Sequence, residues 1–293
     1  MSLAVILASN KLSMGDASKI ANCDKSTISK VCSQTYPAWE QKEDEIIKLL
    51  AEAGFNISIP DSFTVNTNVL VTTKSVSEFT SLADDLSDPE NSLSSSLGMA
   101  IGTAERGKTH ASKWYVQNNE IAAYVLYVDG TTKVQLLRDI CDAIANVRPY
   151  SFGQCIATIE ATCRFSRRLI IIDEADKCPI PHLEMIRGIN ERCEVPFLLV
   201  GEEGLKSKME NVPRLKSRIR KPVVLFEPVK DVDVAAYYQA ACGIAIDRHT
   251  AETLARRARG GFRTVVNDSN ALAKIGRASG LNTITPAMLE QLA

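Results

Sequence analysis

The chain has 293 residues, of which 45% are hydrophobic, 24% charged and 6% aromatic, and its formal net charge is −1; such a chain buries a sizeable core, and at about 150 residues per domain it predicts roughly two domains. No segment approaches the roughly 18 consecutive apolar residues of a membrane span, which excludes a transmembrane protein, and the near-zero charge means that nucleic-acid contact has to come from local patches. The eight cysteines, at positions 23, 32, 141, 155, 163, 178, 193 and 242, include no C-x-x-C pair and read as reduced thiols of a cytoplasmic protein, not as a secreted disulfide framework.

The apolar start, Leu3 to Ala8, lacks a basic flank and meets Lys11 before any cleavage site, so it reads as a short first helix. Ala17 to Ala21, a break at Asn22-Cys23-Asp24, and Lys25 to Val31 follow, with a further helical stretch from Glu43 to Ala53. Ile20, Ala21, Ile28 and Val31 fall at spacings that let two short helices share a small core, with Asp24 as N-cap of the second. This is helix-turn-helix grammar. It places Lys25, Ser26, Thr27, Ser29 and Lys30 where they face a major groove or its phosphates, the alternative being a protein-interaction module. Residues 55 to 68, with Pro60 and several Ser, Thr and Asn, read as a linker, so the all-α unit and its linker occupy residues 1–61.

A helix around Lys74 to Leu86 leads through the polar stretch Ser87 to Ser92 into alternating apolar strands and helical patterns, the strands being Leu97 to Ile101, Ala122 to Val128, Leu169 to Ile172 and Pro196 to Val200. Near-continuous apolar strands in this alternation predict an α/β unit over residues 62–228 with a parallel sheet covered on both faces. From about residue 229 only helices are predicted, at Asp231 to Cys242, Thr250 to Arg259, Phe262 to Arg277 and Pro286 to Leu292, forming a C-terminal helical lid over residues 229–293.

Between the first strand and the next helix lies Gly102-Thr103-Ala104-Glu105-Arg106-Gly107-Lys108-Thr109, which matches G-x-x-x-x-G-K-[ST]. Glycines let this loop curl its N–H groups toward phosphates, Lys108 reaches the β and γ oxygens of ATP, and Thr109 offers a hydroxyl to Mg²⁺. The strand Leu169-Ile170-Ile171-Ile172 ends in Asp173-Glu174-Ala175-Asp176, where Asp173 suits Mg²⁺ and Glu174 suits polarising an attacking water. Arg218, in Arg214-Leu215-Lys216-Ser217-Arg218-Ile219, lies where an arginine projects into a neighbouring subunit's nucleotide, and Arg263, after Gly260-Gly261, opens a lid helix that folds back toward the γ-phosphate. Leu205 to Pro222 is the strongest local charge: Lys206, Lys208, Arg214, Lys216, Arg218, Arg220 and Lys221 stand against Glu210 alone.

A phosphate loop, an apolar strand ending in Asp-Glu-Ala-Asp, the R-L-x-S-R-I segment, the G-x-x-R turn and an N-terminal helix-turn-helix together resemble the AAA+ ATPases of DNA transposition, the phage Mu-type and Tn7-type proteins among them. The resemblance runs from Ala17 to near Ala293. It implies an AAA+ P-loop NTPase with a helical lid that binds ATP and Mg²⁺, forms homo-oligomeric filaments on duplex DNA, captures target DNA and stimulates a transposase. In these terms Gly102 to Thr109 and Asp173 hold the nucleotide, Thr109 and Asp173 the metal, and Glu174, Arg218 and Arg263 serve hydrolysis. Thr131, Thr132 and Lys133, just past the second strand, sit where a filament presents them to the DNA backbone, the alternative being a solvated helix start. One position departs from the pattern: where such ATPases place Asn or Thr after the fourth strand, this chain has Gly201-Glu202-Glu203. A helicase-loader-type ATPase shares every one of these ATP motifs, and a nucleotide-switched DNA-binding regulator with little turnover fits the acid at Glu202.

Overall fold

In Leu169-Ile170-Ile171-Ile172-Asp173 every residue is buried, and only a strand covered on both faces accommodates such a run. The computed structural model, which describes residues 3–10, 12–33, 35–55, 64–88, 90, 97–281 and 283–292, places this strand second in a five-stranded sheet. The N-terminal helices are α1 (Leu3–Ser9), α2 (Met14–Ile20), α3 (Lys25–Cys32) and α4 (Trp39–Glu52). After them come α5 (Lys74–Ser87), β1 (Leu97–Ile101), α6 (Lys108–Asn118), β2 (Ala122–Leu126), α7 (Lys133–Ala145), α8 (Phe152–Phe165) and β3 (Leu169–Asp173). A 3₁₀ turn (Ala175–Lys177) precedes α9 (Ile180–Cys193), β4 (Phe197–Gly201), α10 (Glu203–Glu210), α11 (Pro213–Lys216) and β5 (Val224–Leu225). Helices α12 (Asp231–Cys242), α13 (Arg248–Ala258), α14 (Phe262–Ser279) and α15 (Pro286–Glu290) complete the order. No helix among the described residues is long and apolar enough to cross a membrane.

The chain divides into two units. One comprises Leu70–Asp233 and Ala255–Arg263, the other Met1–Val69, Val234–Leu254 and Thr264–Ala293. In the first, the strand order is β2-β3-β4-β1-β5 and every pairing is parallel. Side chains of successive strand residues alternate between faces: Met99, Ile101, Ile170, Ile172 and Leu199 join the core with α7, α8 and α9, whereas Ala100, Leu169, Ile171, Leu198 and Val200 join the core with Phe79 and Leu82 of α5 and Ala111 and Tyr115 of α6. Because both faces are sealed, polar chemistry is confined to the strand ends.

In the second unit, α1 to α4 close on a core of Leu3, Ile6, Leu7, Ala17, Ala21, Ile28, Val31, Ile46 and Leu50. Residues Ile28 and Val31 point inward, leaving Lys25, Ser26, Ser29 and Lys30 exposed on one face of α3, with Thr27 half-buried. Asp24 occupies the N-cap of α3 in an extended conformation but its side chain makes no capping bond, so its contribution is conformational. Among the C-terminal helices, Tyr237 and Tyr238 pack edge to face with ring centroids 5.8 Å apart, and the Tyr237 and Ser269 hydroxyls meet at 3.2 Å.

Several boundaries differ from those the sequence predicts. Strand β2 stops at Leu126, not Val128: Tyr127 N–H donates to the Asp173 carbonyl at 2.9 Å, β3 ends there, and the chain turns through Gly130. β5 is a two-residue strand paired with Ala100 and Ile101, too short to register as a periodic pattern. Helices α13 to α15 differ by one or two residues at their ends. Most of the predicted linker, residues 56–63, and, before β1, residues 89 and 91–96 lie outside the described residues, as does the boundary at 61/62. All eight cysteines are free thiols, and burial pushes Cys141 and Cys178 up to about 12, so both stay protonated.

At the end of β4 a Cβ on Gly201 would lie 2.6 Å from Asp176 Oδ1 and 2.8 Å from Asp176 N. The absence of a side chain there lets the turn after β3 approach β4, and Glu202 N–H donates to that Oδ1 at 3.0 Å. Gly201→Ala is expected to lower stability by about 1–3 kcal/mol through overpacking, read as a reduced urea midpoint at unchanged slope; an unchanged midpoint contradicts the close approach.

Candidate functional site

Loop Gly102–Gly107 leaves β1 at the sheet's carboxyl edge and enters α6 directly. Gly107, with φ of +89°, is the N-cap of α6, a left-handed position that glycine adopts without penalty. Glu105 also takes positive φ, +66°, and these two reversals curl the loop. The loop's backbone curls at the start of α6, where helix N–H groups point outward, and so forms a cradle for an anion. The Lys108 ammonium rests on the loop's own carbonyls, 2.7 Å from Gly102 O and 2.8 Å from Thr103 O. Burial lowers its pKa from the ordinary lysine value, against the opposing influence of Glu202, Asp173, Glu174 and Asp176. Thr109 is exposed in the first turn of α6.

Asp173 terminates β3 and is only 1% exposed. Its Oδ1 accepts from Glu174 N–H at 2.9 Å and its Oδ2 from the Tyr124 hydroxyl at 2.9 Å, so the carboxylate is fixed from two sides. Glu174 turns the chain in a left-handed conformation, φ +58°, and its carboxylate pairs with Lys177 at 2.8 Å. Glu202, at the end of β4, is exposed and is the strongest of the charged influences on Lys108. Phosphate loop, Asp173, Glu174 and Glu202 are thus brought together at one sheet edge. Among the described residues no group of three or more His, Cys, Asp or Glu side chains forms a metal cluster. A hydroxyl and a single carboxylate, with phosphates and waters completing the sphere, are the hard oxygen donors that Mg²⁺ takes, and Thr109 and Asp173 fit it.

The Gly260-Gly261 turn lies against the middle of the same loop. Phe262 N–H donates to Glu105 O at 2.7 Å, the Arg106 guanidinium donates to Gly260 O, and Arg263 Nη1 pairs with Glu105 Oε1 at 3.2 Å. Arg263 therefore stands at the phosphate loop. Arg218 does not. Its carbonyl accepts from Leu97 N–H at 2.7 Å, beside the first residue of β1, whereas the loop follows the last, Ile101; four residues of strand put roughly 13 Å between them. The Arg218 guanidinium pairs with Glu191 of α9 at 2.7 Å.

The basic run from Lys206 to Lys221 is largely tied internally. Lys208 donates to the carbonyls of Asp176 and Cys178, Arg214 pairs with Glu184 at 3.5 Å and Arg220 with Asp85 at 3.6 Å. Thr132 caps α7, its hydroxyl accepting from Gln135 N–H at 3.2 Å, and Lys133 beside it is exposed. Thr131 is half-buried, and its carbonyl meets His182 Nε2 at 3.0 Å. Sequence reasoning passed over Tyr124 and Glu191. The first is the one hydroxyl-bearing residue in the strand Ala-Ala-Tyr-Val-Leu, in register with Ile171 two residues before Asp173, and the second closes an E-x-x-R-x-x-x-E pattern on a single helix face.

Residues 92–209 match the family model described as an AAA domain. Over 51 residues the chain is 37% identical to a Staphylococcus aureus protein described as a potential ATP-binding protein, a match that spans 17% of this chain and 19% of that one. Among solved structures, the Aeropyrum pernix ORC2 protein with ADPNP and ADP aligns over 77% of this chain and 69% of its own at 16% identity and a TM-score of 0.58. The A. pernix ORC1 protein in complex with DNA aligns over 80% and 66% at 17% identity and a TM-score of 0.56, and Cdc6p from Pyrobaculum aerophilum over 78% and 67% at 14% identity and 0.56. At these identities the likeness is one of fold. The phosphate loop on a five-stranded parallel sheet and the match over 92–209 make this region an AAA-family domain with the AAA+ P-loop fold.

Proposed function

We propose that the chain is a Mg²⁺-dependent ATPase whose site is completed by Arg218 of a second copy, and that it assembles as a filament on duplex DNA, captures target DNA and stimulates a transposase. The observation that carries this reading is the separation of Arg218 from the phosphate loop of its own chain, at opposite ends of β1. An arginine so placed serves a neighbour's nucleotide, and ATP then becomes the joint between copies. In function residues 1–61 contact DNA or a partner protein, 62–228 hold and hydrolyse the nucleotide, and 229–293 form the lid.

In the ATP-bound state Lys108 exchanges the carbonyls of Gly102 and Thr103 for the β and γ oxygens, and loop N–H groups between Thr103 and Thr109 donate to the phosphates. Asp173 and Thr109 would hold Mg²⁺, which neutralises charge on those oxygens. Glu174 exchanges Lys177 for the attacking water and polarises it, while Arg263, anchored through Glu105, and the neighbour's Arg218 stabilise the charge of the transition state. Repetition of Lys25, Ser26, Thr27 and Lys30, or of Thr131, Thr132 and Lys133, along an assembly sums weak phosphate contacts that a chain of charge −1 lacks singly. One observation favours a second reading, a nucleotide switch with little turnover: the acid Glu202 stands beside Lys108 where a neutral water-orienting side chain would serve hydrolysis. DNA-stimulated ATP turnover separates the two. Stimulation of a transposase, against delivery of a replicative helicase, separates transposition from loading.

Lys108→Ala is expected to abolish ATP binding and with it stable DNA binding, whereas Glu174→Gln retains both and stops turnover, because the amide keeps the shape without the basicity. Equilibrium binding of a fluorescent ATP analogue beside phosphate release measures both, and parental turnover in Glu174→Gln removes Glu174 as the base.

Arg218→Ala is expected to leave ATP affinity of the isolated chain intact and to cut turnover by on the order of a thousandfold. Mixed with Glu174→Gln, it recovers activity, since one interface then pairs an intact Arg218 with an intact Glu174. Absence of recovery in co-assembled protein contradicts action between copies.

For DNA, Lys25→Ala with Lys30→Ala is expected to lower duplex affinity modestly and leave its ATP dependence unchanged, while affinity of the parental protein falls steeply with salt. ATP-independent binding lost entirely on changing these two lysines would instead make α3 the main DNA reader.

A further inference from the structure

Arg218 has a long side chain with many rotamers, and an arginine that acts on a neighbour's phosphate has to arrive already aimed. The residues that aim it lie on α9. Glu184, Arg187 and Glu191, at i, i+3 and i+7, share one helix face. Arg187 bridges the two carboxylates, its Nε 3.0 Å from Glu184 Oε2 and its Nη1 2.6 Å from Glu191 Oε2. The remaining oxygen of each carboxylate faces one arginine from the segment after α10: Glu184 Oε1 meets Arg214 at 3.5 Å and Glu191 Oε1 meets Arg218 Nη2 at 2.7 Å. Both Oε1 atoms are withdrawn from solvent and accept no hydrogen bond of good geometry from the described residues, so they hold the two arginines by charge. The result is a chain of alternating charge in which Glu191 is immobilised by Arg187 and in turn fixes Arg218, whose side chain keeps 39% of its surface exposed.

We propose that Glu191, held by Arg187, is a positioning residue that presents Arg218 to the nucleotide of a second copy. The proposal rests on action of Arg218 between copies. Arg218 keeps 39% of its side chain exposed, and a pair with so exposed a partner adds little to stability, so the network's cost in side-chain freedom is repaid in orientation: the guanidinium is preorganised against a rigid helix before association, and misplacement of such a group by even 1 Å lowers rates steeply.

The test is a double-mutant cycle on the full chain with DNA and saturating ATP, using Glu191→Ala, Arg218→Ala and the double variant, read by single-turnover hydrolysis and by ATP affinity. Glu191→Ala is expected to lower turnover on the order of tenfold with ATP affinity unchanged, and to add no loss in the Arg218→Ala background. Mixed with Glu174→Gln, Glu191→Ala recovers activity, because one interface then joins a correctly held Arg218 to an intact Glu174. An equal proportional loss in the Arg218→Ala background, or parental turnover in Glu191→Ala, overturns the proposal. Parental turnover in Arg218→Ala is a separate result that overturns the action between copies itself and the positioning role with it. If thermal melting shows Glu191→Ala unfolded, Glu191→Gln, which keeps the shape and removes the charge, enters the same cycle with a smaller loss expected and the same overturning outcomes.

Discussion

A parallel sheet buried on both faces permits polar side chains only where its strands end, and the arrangement of this domain follows from that restriction. Strands β1, β3 and β4 are buried at every position, so the first polar groups each of them offers, the loop at Gly102, the carboxylate of Asp173 and the backbone at Gly201-Glu202, converge on one edge. The strand order, with β1 flanked by β4 and β5, places the loop between the strand that runs into Glu202 and the one that leads to the C-terminal helices. Helix α6 then starts at that edge with its N–H groups aimed outward. Apolar burial sets the geometry, and phosphate chemistry uses what burial leaves.

The same restriction explains the second edge. Polar residues at the amino ends of the strands are equally barred from the interior, and the backbone of Arg218 to Arg220 runs beside Leu97 there, bonded through Arg218 O and Arg220 N. One domain therefore carries two polar edges separated by the length of a strand. A catalytic arginine on the far edge has its own nucleotide out of reach, which makes oligomerisation a geometric requirement of the proposed activity and not an addition to it.

Much of this was legible in the chain because its signals are local. The isoleucine run ending in Asp173-Glu174 names its strand and its burial at once, and G-x-x-x-x-G-K-T between strand and helix names the loop. The pairs that hold the side chains were not legible, because they join residues far apart in sequence: Tyr124 with Asp173, Glu191 with Arg218, Glu105 with Arg263. The basic run after β4 stands out by charge, and Lys208, Arg214, Arg218 and Arg220 within it are each engaged by carbonyls or carboxylates of the same chain; charge counted along a sequence does not register partners supplied by other helices. The two-residue strand β5 is invisible for another reason: it forms only because β1 has an open side to pair with.

Glu105 and Arg106 occupy positions that the phosphate-loop pattern leaves unspecified, and they are the residues through which the loop holds Phe262, Arg263 and Gly260. The fixed letters of the motif belong to chemistry common to every nucleotide site of this kind, while its free letters carry the attachment particular to this chain. Substitution at those two positions acts as a change of wiring: the glycines and Lys108 are untouched, and what is lost is the loop's hold on the Gly260–Arg263 turn.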